Sequence, residues 1–243
     1  AFLSVAFACA YASPPGRRIP GLKMANILSF GDIPVFLQHV WPCSRFRPET
    51  REARNYFLDC VRRNGKVLSF GLVGCGRIAQ RHASLLGENQ ILGGRLAAVC
   101  DVISEKAEIL AAKFGVPVFT DMHNMMSEAN LDAVVVLTES GHHASHVIEL
   151  ARYRKPIIVE KPMALTLSDA DRMIEATLTT GVPLFVVKQN RYNLPVLRVR
   201  EALEAGRFGR LVMGTVRVRW CRPQDYYDQA AWRGTWALDG GVL

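Results

Sequence analysis

Val67-Leu68-Ser69-Phe70-Gly71-Leu72-Val73-Gly74-Cys75-Gly76-Arg77-Ile78-Ala79 is the stretch on which the fold turns. Its first seven residues are a short apolar run, as in a strand buried on both faces. From Arg77 to Leu86 the apolar spacing becomes helical. Between them lies the pattern G-x-G-x-x-A. Gly74 permits the tight turn, Gly76 lets the backbone approach a pyrophosphate, and Ala79 lets the helix pack closely on the strand. Cys75, Arg77 and Ile78 complete a loop at a helix N-terminus, where free N–H groups and a partial positive charge face phosphates. A motif this short is weak alone, but its place between a strand and a helix is the context that gives it meaning.

Outward from this point the chain keeps the same alternation. Apolar strand-like runs recur at 96–100, 116–119, 133–137, 156–159 and 183–187, with Gly93-Gly94 read as a turn. Helical patterns fill the gaps at 104–114, after a capping Asp121, at 142–151, and at 169–179 behind a capping Ser168. Met122, Met125 and Met126 fall at helical spacing and read as core. Strands that are apolar throughout, alternating with helices, imply an α/β, doubly wound parallel Rossmann sheet. Asp101 ends the second strand, 27 positions after Gly74. A carboxylate there accepts hydrogen bonds from adenosine ribose hydroxyls and repels a 2′-phosphate, which favours NAD over NADP.

After Asn190 the texture changes. A helix is expected over 194–204, and 212–220 alternates apolar with polar residues, as in a strand with one buried face. This suggests the start of an α+β domain with an antiparallel sheet. The expected organisation is an N-terminal extension over 1–64, a dinucleotide-binding domain over 65–188, and the beginning of a second domain over 189–243.

The 243 residues are 49% hydrophobic and 21% charged, ordinary for a globular protein. No apolar run reaches the roughly 18–20 residues needed to span a bilayer. Of the net charge of +8, a surplus of five falls within residues 1–64, so the basic balance does not demand a nucleic-acid surface. The six cysteines show no CxxC pair or metal-ligand spacing. Cys75 and Cys100 read as small buried hydrophobes, and a reducing, cytoplasmic setting is expected. Ala1 to Ala12 is apolar but short for a signal peptide and lacks a basic flank. Pro14, Pro15, Pro20, Pro34, Pro42 and Pro48 interrupt 1–64, leaving one candidate helix at 49–62.

Glu160-Lys161-Pro162 follows the 156–159 strand, at the carboxyl edge where doubly wound sheets bind ligands. A lysine there can act as a general base, and both burial and a nearby cationic nicotinamide would favour the neutral amine. Together with the GCGRIA segment, the TESGHH segment at 138–143 and the EKPMALTLSDAD run at 160–171, this region resembles the Gfo/Idh/MocA oxidoreductase family. The resemblance implies NAD as cofactor, Lys161 as catalytic acid/base and substrate contact, Glu160 near the nicotinamide ribose, and often a cis Lys161–Pro162 bond. It further implies that Thr138, Ser140 and His143 line the dinucleotide cleft, although Glu139 and Ser140 replace the Pro-Asn of many relatives.

Downstream, Lys188-Gln189-Asn190-Arg191-Tyr192-Asn193, Tyr226-Tyr227-Asp228-Gln229, Trp232-Arg233-Gly234-Thr235-Trp236 and Asp239-Gly240-Gly241 resemble one subgroup. These are the WlbA/WbpB-type UDP-N-acetylglucosaminuronate 3-dehydrogenases of bacterial surface-polysaccharide synthesis. That resemblance implies a nucleotide-sugar substrate and a homo-oligomer at full length. Arg191 and Arg233 are candidates for its anionic groups, Tyr192, Asn193 and Trp232 are further substrate candidates, and Gln189 is a candidate for the nicotinamide amide. The family's second catalytic group, a His in a D-x-x-x-H segment, has no counterpart here, so the chain is expected to be a fragment. Two alternatives stand beside this reading: a sugar or inositol dehydrogenase of the same family, and a non-catalytic NAD-binding module. His142 and His146 share a helix face, but a metal site needs a third ligand. Trp220, Trp232 and Trp236 with Tyr226 and Tyr227 suggest core packing or a uridine-facing loop rather than a nucleic-acid platform.

Overall fold

The structure, a computed structural model, describes residues 67–240 and the backbone of Phe7–Ala8. The candidate helix at 49–62 and most of the expected extension lie outside the described residues.

Six parallel strands form the sheet: β1 (Leu68–Val73), β2 (Gly94–Cys100), β3 (Val118–Phe119), β4 (Ala133–Val136), β5 (Ile157–Val159) and β6 (Leu184–Val187). Their spatial order is β3-β2-β1-β4-β5-β6, and Phe7–Ala8 pairs antiparallel with β6 at the edge. The order reverses direction between β1 and β4, which opens a crevice at their carboxyl ends. Every residue of β1, β4, β5 and β6 is buried, as continuous apolar runs require when helices cover both faces.

Helices α1 (Arg77–Gly87) and α2 (Ser104–Phe114) pack on one face, where Ala79, Ala83, Leu86 and Leu110 join Leu72, Val135 and Phe185. Helices α3 (Met122–Glu128), α4 (His143–Ala151) and α5 (Leu167–Thr180) serve the other, where Met125, Met126, Leu150 and Met173 meet Val134, Val136 and Ile157. Asp121 caps α3 as expected, accepting from the N–H groups of His123 and Asn124. The α5 cap differs. Thr166, not Ser168, accepts from the Asp169 N–H, because the helix starts earlier than its apolar pattern suggests. Gly115, at φ 65°, ends α2 in the left-handed conformation.

The later residues depart further from expectation. Helix α6 (Leu194–Glu204) forms, and α7 (Gln224–Asp228) follows, but 212–220 carries no strand. Val212 and Val216 are 88% and 89% exposed. A strand needs a neighbour to take its backbone hydrogen bonds, and the described residues offer 212–220 none.

Candidate functional site

The carboxyl ends of β1, β2, β4 and β5 are laced together by backbone bonds. Gly74 N–H donates to Cys100 O at 2.8 Å, Leu137 N–H to Val73 O at 2.7 Å, and Glu160 N–H to Val136 O at 3.0 Å. This brings Gly74–Ala79, Asp101, Thr138 and Glu160-Lys161 to one edge of the sheet.

The two glycines of the loop are needed for different reasons. Gly74 has φ 95°, and a Cβ there would lie 2.8 Å from the Leu137 carbonyl carbon and oxygen. Gly76 has an ordinary φ of −73°, and a Cβ on it would meet nothing within 4 Å. Neither the backbone nor the packing requires glycine at Gly76. The open space it preserves, at the uncapped N-terminus of an eleven-residue helix, fits a pyrophosphate. Ala79, fully buried, lets α1 sit against β1. Arg77 is exposed and Ile78 half-buried.

Asp101 supports this loop. Its Oδ2 accepts from the Cys75 N–H at 2.7 Å and its Oδ1 from the Ile103 N–H at 2.9 Å. Each oxygen keeps a further lone pair, so ribose hydroxyls can still donate to it. Cys75 and Cys100 are buried, and burial pushes both thiols up to about 12.

Around Lys161 the groups face inward. Glu160 is 6% exposed. Its Oε1 lies 3.0 Å from His82 Nε2, and its Oε2 accepts from the Lys161 N–H at 3.1 Å. Burial pushes the Glu160 carboxyl up. His82, the Lys161 N–H and the Lys161 charge together outweigh that and hold it below the usual carboxylate value. Both carboxylate oxygens are thus engaged within the protein. The Lys161–Pro162 bond is cis. Lys161 is exposed, which corrects the expectation of a buried base: it stands just past the last strand residue, at the open edge of the sheet.

His143 is almost fully buried. Its Nδ1 lies 2.7 Å from the Pro162 carbonyl oxygen and its Nε2 3.0 Å from the Thr138 carbonyl oxygen. Two acceptors would suit a doubly protonated ring, but burial prevails and holds its pKa below the ordinary value. The one N–H of the neutral ring then serves one carbonyl at a time. His143 therefore ties two backbone segments together. The Thr138 hydroxyl lies 3.0 Å from His146 Nδ1, and Ser140 is buried in a 3₁₀ turn.

The candidates beyond β6 fall into two places. Gln189, Arg191 and Tyr192 lie in a 3₁₀ turn after β6, with Asn193 at its end. Gln189 is half-buried, Arg191 and Asn193 are exposed, and Tyr192 is buried. Trp232 and Arg233 belong to the segment after α7. The Arg233 guanidinium lies 4.4 Å from the Tyr226 ring centroid, and its Nη1 donates to Tyr226 O at 2.6 Å. Arg222 at 4.5 Å and Arg77 at 6.0 Å approach the same ring. Arg77, from the first turn of α1, thus links the glycine loop to the α7 segment.

That segment also closes on the β4 turn. Gly141 N–H donates to Leu238 O at 2.9 Å, and a Cβ on Gly141 would lie 2.5 Å from Ala237 O. Trp220 and Trp236 are 70% and 83% exposed, so neither is core. Among the described residues, no group of three metal-binding side chains assembles and no helix is long and apolar enough to cross a membrane.

Sequence reasoning missed His82, although a signal was present. It falls three positions after Ala79 on the helix face that Ala79, Ala83 and Leu86 bury, and a polar residue in such a stripe asks for a partner. Gly141 and Tyr226 gave no such signal, since their contacts depend on tertiary docking.

Two family models match the chain. Residues 68–188 match the oxidoreductase family with NAD-binding Rossmann fold, and residues 196–243 match the GFO/IDH/MocA C-terminal domain. Among solved structures, WlbA dehydrogenase from Bordetella pertussis, in complex with NADH and UDP-GlcNAcA, is 43% identical with a TM-score of 0.67. That likeness covers 72% of this chain and 53% of that one. The Chromobacterium violaceum WlbA structure, with the same two ligands, is 37% identical at a TM-score of 0.68, covering 72% and 50%. Myo-inositol 2-dehydrogenase of Thermotoga maritima is 34% identical over 144 residues, 59% of this chain and 42% of that protein. The chain thus spans about half the length of the relatives it matches.

Proposed function

The chain belongs to the Gfo/Idh/MocA oxidoreductase family, and on that premise we propose that it serves an NAD-dependent dehydrogenase acting on a nucleotide-linked sugar. The proposed reaction is oxidation of the C3 hydroxyl of a UDP-linked N-acetylated hexuronic acid, with Lys161 as acid/base. The observation that carries the reading is the position of Lys161, exposed at the end of β5 on the same sheet edge as the open space over Gly76.

Oxidation of a secondary alcohol removes a hydride from carbon and a proton from oxygen. NAD supplies the hydride acceptor. Gly74 and Gly76, with the free N–H groups at the start of α1, hold its pyrophosphate, and Asp101 takes its ribose. Lys161 Nζ takes the hydroxyl proton. Arg191 and Arg233 are the proposed partners of the substrate's anionic groups. The sugar-nucleotide choice is supported by the extent of the likeness. The match to the WlbA structures covers 72% of this chain at 43% and 37% identity, against 59% at 34% identity for the Thermotoga maritima inositol enzyme.

The test supplies the protein at its full natural length with UDP-N-acetylglucosaminuronate and NAD, and follows NADH. NADH production with this substrate, lost by roughly 10²–10⁴-fold in Lys161→Ala while NAD affinity is retained, supports the proposal. NADH formed only with free inositols or sugars favours the second reading, which the 34% identical myo-inositol enzyme supports. NAD binding without turnover of any of them leaves a binding module.

A further inference from the structure

His82 and Glu160 form a buried pair for which the fold gives no stabilising reason. They are 3% and 6% exposed, and their nitrogen and oxygen lie 3.0 Å apart. Two apolar side chains of matching shape would serve a core at least as well, since burying polar groups carries a desolvation cost that their hydrogen bond offsets only in part. The second oxygen of Glu160 shows where the pair leads: it accepts from the Lys161 N–H at 3.1 Å.

We propose that His82 is a positioning residue for Lys161, acting through Glu160 to fix the lysine's backbone relative to the phosphate-binding helix. The role rests on Lys161 being the acid/base named above. His82 sits on α1, whose first turn borders the space over Gly76. Any shift of α1 therefore passes through imidazole and carboxylate to the residue bearing the reacting amine. From the opposite face of the sheet, His143 on α4 lies 2.7 Å from the carbonyl oxygen of Pro162, the residue after Lys161. Two buried histidines on two helices thus bracket Lys161-Pro162, one anchored to the cofactor helix and the other to the Thr138 turn. His82 is too buried to touch substrate, so its effect falls on geometry.

The test compares His82→Leu, which fills the volume without a donor, with His82→Gln, whose amide can still donate to Glu160. Thermal melting and NAD affinity identify folded variants. In the full-length enzyme, His82→Leu is expected to lower kcat by roughly ten- to a hundredfold, the scale of a small misplacement of a reacting group. NAD affinity should stay within about twofold, and His82→Gln should recover most of kcat. Glu160→Gln is expected to lower kcat as well, with no further loss in the double variant, because coupled groups are not additive. A second readout needs no turnover: acetylation of Lys161 by acetic anhydride, measured by peptide mass against Lys113 and Lys155. Its rate should change in His82→Leu and return in His82→Gln. Unchanged Lys161 acetylation and parental kcat in folded His82→Leu overturn the positioning role while leaving the dehydrogenase reading intact. A changed and rescued acetylation rate in a protein that turns over no substrate keeps the role and sinks that reading. Fully additive losses in the double variant also overturn it. If His82→Leu fails to fold, acetylation of His82→Gln and Glu160→Gln decides instead: a parental rate in the first with a changed rate in the second supports the role, and parental rates in both overturn it.

Discussion

Ala133–Val136 and the 212–220 stretch are both rich in β-branched residues, yet they end in opposite environments. Ala133, Val134, Val135 and Val136 are at most 1% exposed, whereas Val212, Met213, Val216 and Val218 are 74% exposed or more. Ala133–Val136 lies between two parallel strands and under helices on both faces, so every apolar side chain finds a partner. The 212–220 stretch carries its apolar residues mainly on one side, and such a strand settles only on a sheet able to take that side. Burial is therefore a property of the available surroundings as much as of the residues.

The strongest way to break this contrast is truncation at matched sites. Leu150→Ala, in the core beneath β4, should cost about 2–5 kcal/mol, while Val218→Ala should stay within about 0.5 kcal/mol. Urea denaturation of both variants measures this, and equal losses would mean that 212–220 is packed. Next in size are the loop glycines. Gly74→Ala should cost about 1–3 kcal/mol, through its positive φ and the approach to Leu137. Gly76→Ala should leave stability within about 0.5 kcal/mol, yet weaken NAD binding at least tenfold by calorimetry. Unaltered NAD affinity would remove the phosphate role of that space.

Acid should expose a third difference. His143 and His146 are held below the ordinary histidine value by burial, so the unfolded chain takes up their protons more readily. Stability should then fall as pH drops through about 6.5, and fall again below about 4.5 as Glu160 protonates. Urea midpoints across this range test it, and His143→Gln should flatten the upper limb. These titrating groups all precede α6, so a truncation within 212–220 should not alter the profile. The smallest expected effect is on thiols. Cys221 is exposed and should react with iodoacetamide in the native protein without loss of stability, while Cys75 and Cys100, buried and pushed up to about 12, should react only on unfolding.

What was legible in the sequence follows the same contrast. The strands from Leu68 to Val187 could be read because residues buried on both faces leave an unbroken apolar record. Gly74 could be read because its positive φ is a constraint local to one turn. The inward turn of Glu160 could not, since its partner His82 lies far from it in the chain and reaches it only in the folded sheet. The two carbonyl partners of His143 could not be read either, since they come from separate segments that meet only in the folded chain. Arg233 was singled out for its charge, whereas its stacking on Tyr226 depends on how the segment after α7 folds back.

That fold-back bears on the order of events during synthesis. The N–H of Gly141 is satisfied by the carbonyl of Leu238, which leaves the ribosome long after the sheet strands on either side of the turn. The sheet can condense as soon as β6 emerges, because its ladder is complete without any later residue. The turn that borders the reacting edge cannot. A nascent chain halted before Leu238 carries a finished core and an unfinished rim, so residues translated well after the sheet close the part of the molecule where chemistry is proposed.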